Sequence, residues 1–149
     1  MVVIFLITIK VQRMKMDKLN EIRKMKIKKL KEKMKNQKIE TKIEVNDDDF
    51  EEKVIKQSKN VLVIVDFWAE WCMPCLMLGP VLEKITEEHK GKIVLAKLNV
   101  DKSPRISQIY RIDSIPAVKI FKNGKIVDEF IGALPEIQVK SYIDKHLED

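Results

Sequence analysis

The sequence predicts an α/β fold, a three-layer α/β/α sandwich on a central mixed β-sheet, preceded by a basic extension that is helical or disordered. Three observations carry this. The runs Val61-Leu62-Val63-Ile64-Val65 and Ile93 to Leu98 are almost wholly aliphatic, the pattern of strands buried on both faces. A helical stretch with a glycine at its end lies between them, and strand–helix–strand alternation implies parallel strands with crossover connections. Near the C-terminus, Asn123-Gly124 divides two more apolar runs, the strongest hairpin signal in the chain.

Charge divides the chain. Residues 1–42 hold 14 Lys/Arg against 4 Asp/Glu, whereas residues 43–149 hold 15 against 19, so the overall +6 is +10 on the extension and −4 on the remainder. A basic arm on a mildly acidic body implies separate roles. We therefore divide the chain into a basic N-terminal extension, 1–42, and a folded domain, 43–149. Within the arm, residues 10–38 carry apolar side chains at partial three- and four-residue spacing, interrupted by Lys26 and Lys29, with no clean heptad. A solvated charged helix accounts for this pattern, and the functional alternatives are contact with an anionic membrane surface, a nucleic acid or an acidic partner, a weak anionic surface contact among them. The opening run Val2 to Ile9 is short of the ~20 residues of a spanning helix. Its basic residues follow rather than precede it, against the order of a signal peptide. The expected location is cytoplasmic.

In the domain, Asn46 followed by Asp47, Asp48 and Asp49 reads as a helix start, a capping side chain with acids in the first turn, and the helix is predicted to reach Lys56. The next helix spans about Met73 to His89, with Pro80 inside it and Gly91 closing it. Ser103-Pro104 opens a short helix with serine as cap. Strands Ala117 to Phe121 and Ile126 to Ile131 flank the turn. A last helix covers Pro135 to Leu147, with Ile137, Val139, Tyr142, Ile143 and Leu147 toward the core.

The chemistry lies in Cys72-Met73-Pro74-Cys75, which holds both cysteines of the chain. Two cysteines this close cannot staple a secreted scaffold. Half a zinc site has the same spacing, but His89 and His146, the two histidines, stand far apart, so no metal is expected. The pair sits where a buried strand ends and a helix begins. There the unpaired N–H groups and the helix dipole favour a thiolate, making Cys72 the expected nucleophile and Cys75 the more buried resolving thiol. Asp66 breaks the aliphatic run, so its carboxyl is expected to be buried and its protonated form favoured, suited to taking a proton from Cys75. Lys97, in the neighbouring strand, is within its expected reach. Pro116 belongs at a strand start, where its missing N–H does no harm.

The stretch Val65-Asp66-Phe67-Trp68-Ala69-Glu70-Trp71-Cys72-Met73-Pro74-Cys75 closely resembles the thioredoxin active-site signature. The resemblance continues through Pro80, Ala96 to Asp101, Ser114-Ile115-Pro116-Ala117, Phe121-Lys122-Asn123-Gly124 and Gly132-Ala133, covering about residues 43–149. It implies the thioredoxin fold and a protein-disulfide reductase that works by dithiol exchange in electron transport and redox homeostasis. It further implies that Cys72 attacks a substrate disulfide, Cys75 resolves the mixed disulfide, and Asp66 with Lys97 assists proton transfer. Pro116 would be cis and pack against the cysteines, and the Ile115 backbone would pair with substrate. Trp71, Met73, Pro74, Gly132 and Ala133 would line the docking surface, with Trp68 beneath. No cofactor is implied beyond the Cys72–Cys75 redox couple. The implied partners are disulfide-containing proteins and a thioredoxin reductase, with the chain a monomer. Two positions depart from the commoner pattern: Met73 replaces glycine, and Leu76 stands where lysine is frequent. An oxidase or isomerase of the same fold, or an adaptor acting through the basic arm, are the alternatives.

Overall fold

The computed structural model describes residues 1–36 and 40–147, so residues 37–39, which include the end of the 10–38 stretch, and the two C-terminal residues lie outside the described part. The chain forms two compact units, Met1–Lys38 and Ile39–Asp149. The first holds a single α-helix, α1 (Val2–Asn36). Lacking glycine and proline, this segment has nothing to interrupt a helix. Of the two sequence readings, helix holds over disorder. No helix among the described residues is long and apolar enough to cross a membrane.

The second unit contains strands β1 (Lys42–Val45), β2 (Leu62–Trp68), β3 (Ile93–Asn99), β4 (Ala117–Lys122) and β5 (Lys125–Ile131). Its helices are α2 (Met73–Glu88), α3 (Pro104–Ile109) and α4 (Glu136–Leu147). The strands form one sheet in the order β1-β3-β2-β4-β5. β1 and β2 run parallel to β3, whereas β4 is antiparallel to both β2 and β5. This is the expected mixed sheet, with β2 at its centre. Leu62 to Phe67 are all buried, which is why that run shows no polar alternation.

Two apolar layers cover the sheet. On one face Leu62 and Ile64 of β2 join Leu78, Leu82 and Ile85 of α2 and Val139 and Ile143 of α4. On the other, Val63, Val65 and Phe67 join Phe50, Val54, Ile106 and Phe121. Strand periodicity thus places Asp66, two residues after Ile64, on the α2 side. The Asn123-Gly124 turn joins β4 and β5, with positive φ at both residues (54° and 80°), as a type I′ hairpin requires.

Three details differ from expectation. The segment after Asn46 is a π-helical turn, Glu51–Lys56, running into a 3₁₀ turn, Gln57–Lys59, rather than an α-helix. Its wider winding lets Phe50, Val54 and Ile55 all face the same core. The N-cap of this π-helix is Phe50, with no side-chain capping bond, and Asn46 instead closes the turn ahead of it, its Oδ1 accepting from the N–H groups of Asp48 (2.8 Å) and Asp49 (3.2 Å). Ser103 occupies the cap position of α3 but makes no capping bond. Asp47 supplies it from across the fold, its carboxylate accepting from the N–H groups of Arg105 (3.2 Å) and Ile106 (2.8 Å). A carboxylate at a helix N-terminus gains from the dipole as well as from the two bonds, which a hydroxyl does not. Ile137, expected in the core, is 83% exposed. It lies in the first turn of α4, whose buried stripe consists of Val139 and Ile143, four apart.

Candidate active site

β2 delivers the chain to the top of the sheet, and a tight turn closed by the Cys72 N–H donating to the Ala69 carbonyl (3.2 Å) turns it into α2. Cys72 is the N-cap residue, in extended conformation (φ −92°, ψ 101°). Its sulfur stands where a capping oxygen would and accepts from the Cys75 N–H at 3.2 Å. Pro74 lies in the first turn, where a missing N–H costs no helical bond. Cys72 and Cys75 are joined as a disulfide, with Cα atoms 5.3 Å apart. Both are buried, Cys75 slightly more so, at 3% exposed against 5%. They pack with Ala69, Trp68, Val100 and Ile115.

On the preceding strand β2, Asp66 is fully buried and neither carboxylate oxygen has a hydrogen-bond partner among the described residues. Burial pushes its pKa up to about 7, with Lys97 pulling it down and Glu83 adding to the rise. Asp66 and Lys97 are cross-strand neighbours in the parallel β2–β3 pair, so their side chains share the α2 face. The Lys97 Nζ lies 3.8 Å from the Glu83 carboxylate and 4.9 Å from the centre of the Trp68 ring. Gly79 of α2 lies directly against it, since a Cβ there would stand in ordinary contact, 3.5 Å from Nζ. The sequence reading did not single out Glu83. Its signal was its spacing: Gly79 and Glu83, four apart on α2, fall on one helix face over Lys97.

Around the disulfide, Trp71 is 69% and Met73 66% exposed, and Pro74 is also exposed. The Trp71 indole donates to the Asp101 carboxylate (2.9 Å), which fixes the ring and was likewise not foreseen. The Ile115–Pro116 peptide bond is cis. Pro116 is buried, while Ile115 is half-buried against the cysteines. Gly132, with φ 97° in the left-handed region, donates its N–H to the Pro116 carbonyl (2.8 Å). Ala133 beside it is exposed. The residues anticipated for the site therefore lie toward one end of the sheet: Asp66 and Lys97 near the ends of β2 and β3, the cysteines at the β2–α2 junction, Ile115 and Pro116 just before β4, and Gly132 and Ala133 just after β5. Among the described residues, no group of three or more His, Cys, Asp or Glu side chains is placed to hold a metal ion.

A two-cysteine couple capping a helix, with a buried carboxyl on the preceding strand of a five-stranded mixed sheet, defines a thiol–disulfide oxidoreductase of thioredoxin fold. Comparison with known proteins agrees. The thioredoxin family model matches residues 40–145. A thioredoxin of Chlorobaculum thiosulfatiphilum is 47% identical over 104 residues, 70% of this chain and 94% of that protein. Thioredoxin 2 of Chlorobaculum tepidum is 43% identical over 104 residues, with the same coverage. A thioredoxin of Acidithiobacillus ferridurans is 45% identical over 103 residues, 69% of this chain and 94% of that protein. The chain belongs to the thioredoxin family.

Proposed function

We propose that this protein reduces disulfides in other proteins by dithiol exchange and is returned to the dithiol by a thioredoxin reductase. The observation that carries the reading is the seat of Cys72: its sulfur caps α2 and already accepts a backbone N–H. In the reduced protein, the same donor and the helix dipole stabilise a thiolate there. That thiolate attacks one sulfur of the substrate disulfide, forming a mixed disulfide and releasing the other substrate sulfur as a thiolate that takes up a proton. Cys75 then loses its proton, attacks Cys72, and expels the second substrate thiolate, which is protonated in turn. The two electrons of the dithiol pass to the substrate, leaving the Cys72–Cys75 disulfide.

Asp66 receives the Cys75 proton. A carboxyl with a pKa near 7 both accepts and returns a proton at neutral pH. Lys97 is a positioning residue, stabilising the ionised Asp66 through its charge. Exposed Trp71, Met73, Pro74 and Ala133 with Gly132 and Pro116 form the apolar rim on which a substrate chain lies, and the Ile115 backbone pairs with it. We assign the 1–42 and 43–149 division to this activity and its appendage. The protein works as a cytoplasmic monomer, and the basic helix α1 adds contact with anionic surfaces.

The test is insulin reduction with a reductase as electron source. Wild-type protein cleaves the interchain disulfides, Cys72→Ser abolishes turnover, and Cys75→Ser accumulates mixed disulfides. Equal turnover in Cys72→Ser refutes the mechanism. Met73 and Leu76, standing where the commoner pattern has glycine and lysine, bear on direction. A potential of about −270 mV marks a reductase, and one of about −120 mV an oxidase.

A further inference from the structure

Helix α1 has two unlike ends. Every large apolar residue from Val2 to Ile9 is 46–72% exposed, and no charged side chain interrupts the run before Lys10. Between Lys10 and Lys33 stand eleven Lys/Arg against three Asp/Glu. These charges do not gather on one face. Lys15, Lys18, Lys26 and Lys29 fall at helical spacing among Val11, Leu19, Ile22 and Met25, so the shaft has no continuous apolar stripe to bury along its length. What it offers is an apolar tip backed by a basic shaft.

We propose that the apolar turns Val2–Ile9 of α1 insert into one leaflet of an anionic lipid bilayer, with the basic residues that directly follow them held among its phosphates. At about 1.5 Å per residue the eight residues Val2–Ile9 extend ~12 Å, less than half of a ~30 Å hydrocarbon core, so they enter a leaflet without crossing it. The polar side chain in the tip, Thr8, donates its hydroxyl to the Ile4 carbonyl (2.8 Å) and brings no unpaired donor into lipid. Lys10, Arg13 and Lys15 follow directly, at the depth of the headgroups. Stable attachment takes two signals, an apolar anchor and a basic patch, and α1 carries them in succession.

The alternatives fit less well. Between Lys10 and Asn36 there is no aromatic residue to stack on bases, and a nucleic acid leaves the apolar tip without a partner. A second copy of α1 would bring lysines against lysines along the shaft.

The test is co-sedimentation of the full chain with vesicles of phosphatidylcholine containing about one-quarter phosphatidylglycerol, at ~0.1 M salt. The wild-type chain pellets with these vesicles, and at least about 10-fold less with pure phosphatidylcholine. Ile4→Glu/Ile7→Glu lowers partitioning by about 10-fold or more. Because acids in the first turns alter the helix itself, Ile4→Ala/Phe5→Ala/Ile7→Ala is the second variant; it keeps helix propensity and removes apolar area, and it also binds more weakly. Insulin reduction in solution is unchanged in both, which shows the domain intact. Equal partitioning of both tip variants and wild type overturns the proposal, and so does a wild-type chain that stays in the supernatant.

Discussion

Replacing Asp66 with asparagine tests the physics of the site most directly. The carboxyl is fully buried without a hydrogen-bond partner among the described residues, and its pKa rises from the ordinary 3.8 to about 7. The folded chain therefore holds this proton more tightly than the unfolded chain. Below about pH 4 both states are protonated and folding carries no penalty from this group. Between about pH 4 and 7 the unfolded state has released the proton and the folded state has not, so stability falls by about 1.4 kcal/mol per pH unit. Above about pH 7 the carboxylate is ionised and buried, and the accumulated loss is on the order of 4 kcal/mol. An asparagine at this position never ionises. With the disulfide kept oxidised, urea unfolding of wild type and Asp66→Asn across this range should give curves that diverge as pH rises, the variant gaining on the order of 4 kcal/mol by about pH 8. A buried amide has its own cost, but that cost does not depend on pH, so divergence is the readout. A pH-independent difference, or a variant losing ground as pH rises, would refute the argument.

Other outcomes follow from the same structure. Asp66→Asn should slow insulin reduction roughly 10–100-fold by removing the proton acceptor for Cys75, measured at neutral pH with reductase in excess. Lys97→Met removes the charge that pulls the Asp66 carboxyl down, so the pH at which Asp66 titrates, followed by carboxyl NMR, should move up. Asp47→Ala should cost about 1–2 kcal/mol in urea unfolding, since it uncaps α3, whereas Ser103→Ala, whose hydroxyl has no partner among the described residues, should be close to neutral. Phe121→Ala should cost about 3–5 kcal/mol, because its ring is buried 5.8 Å from Phe50 and 5.7 Å from Tyr110.

Much of this protein is decided by local pattern. The unbroken aliphatic run of β2 requires a strand covered on both faces, Asn123-Gly124 requires positive φ at two successive positions, and a cysteine pair at a strand–helix junction requires sulfur at a helix mouth. Each follows from steric and dipolar rules acting over a few residues, so sequence alone determined the order of most elements and the seat of the cysteine pair at a helix mouth. Other features depend on groups distant in the chain. Ser103 has the right chemistry for a cap, but Asp47, 58 residues before Arg105, takes that role because packing brings its carboxylate to α3. The π-helical turn after Asn46 answers a core built largely from later strands. Glu83 and Asp101 gain their roles only once α2 lies over β3 and the loop after β3 reaches Trp71. Even Asp66, conspicuous by type, owes its raised proton affinity to the solvent removed by burial and to the charge of Glu83, against the pull of Lys97. Short-range sterics write themselves into neighbouring residues. Burial and electrostatic coupling are properties of what the folded chain brings together, and there the tertiary structure decides.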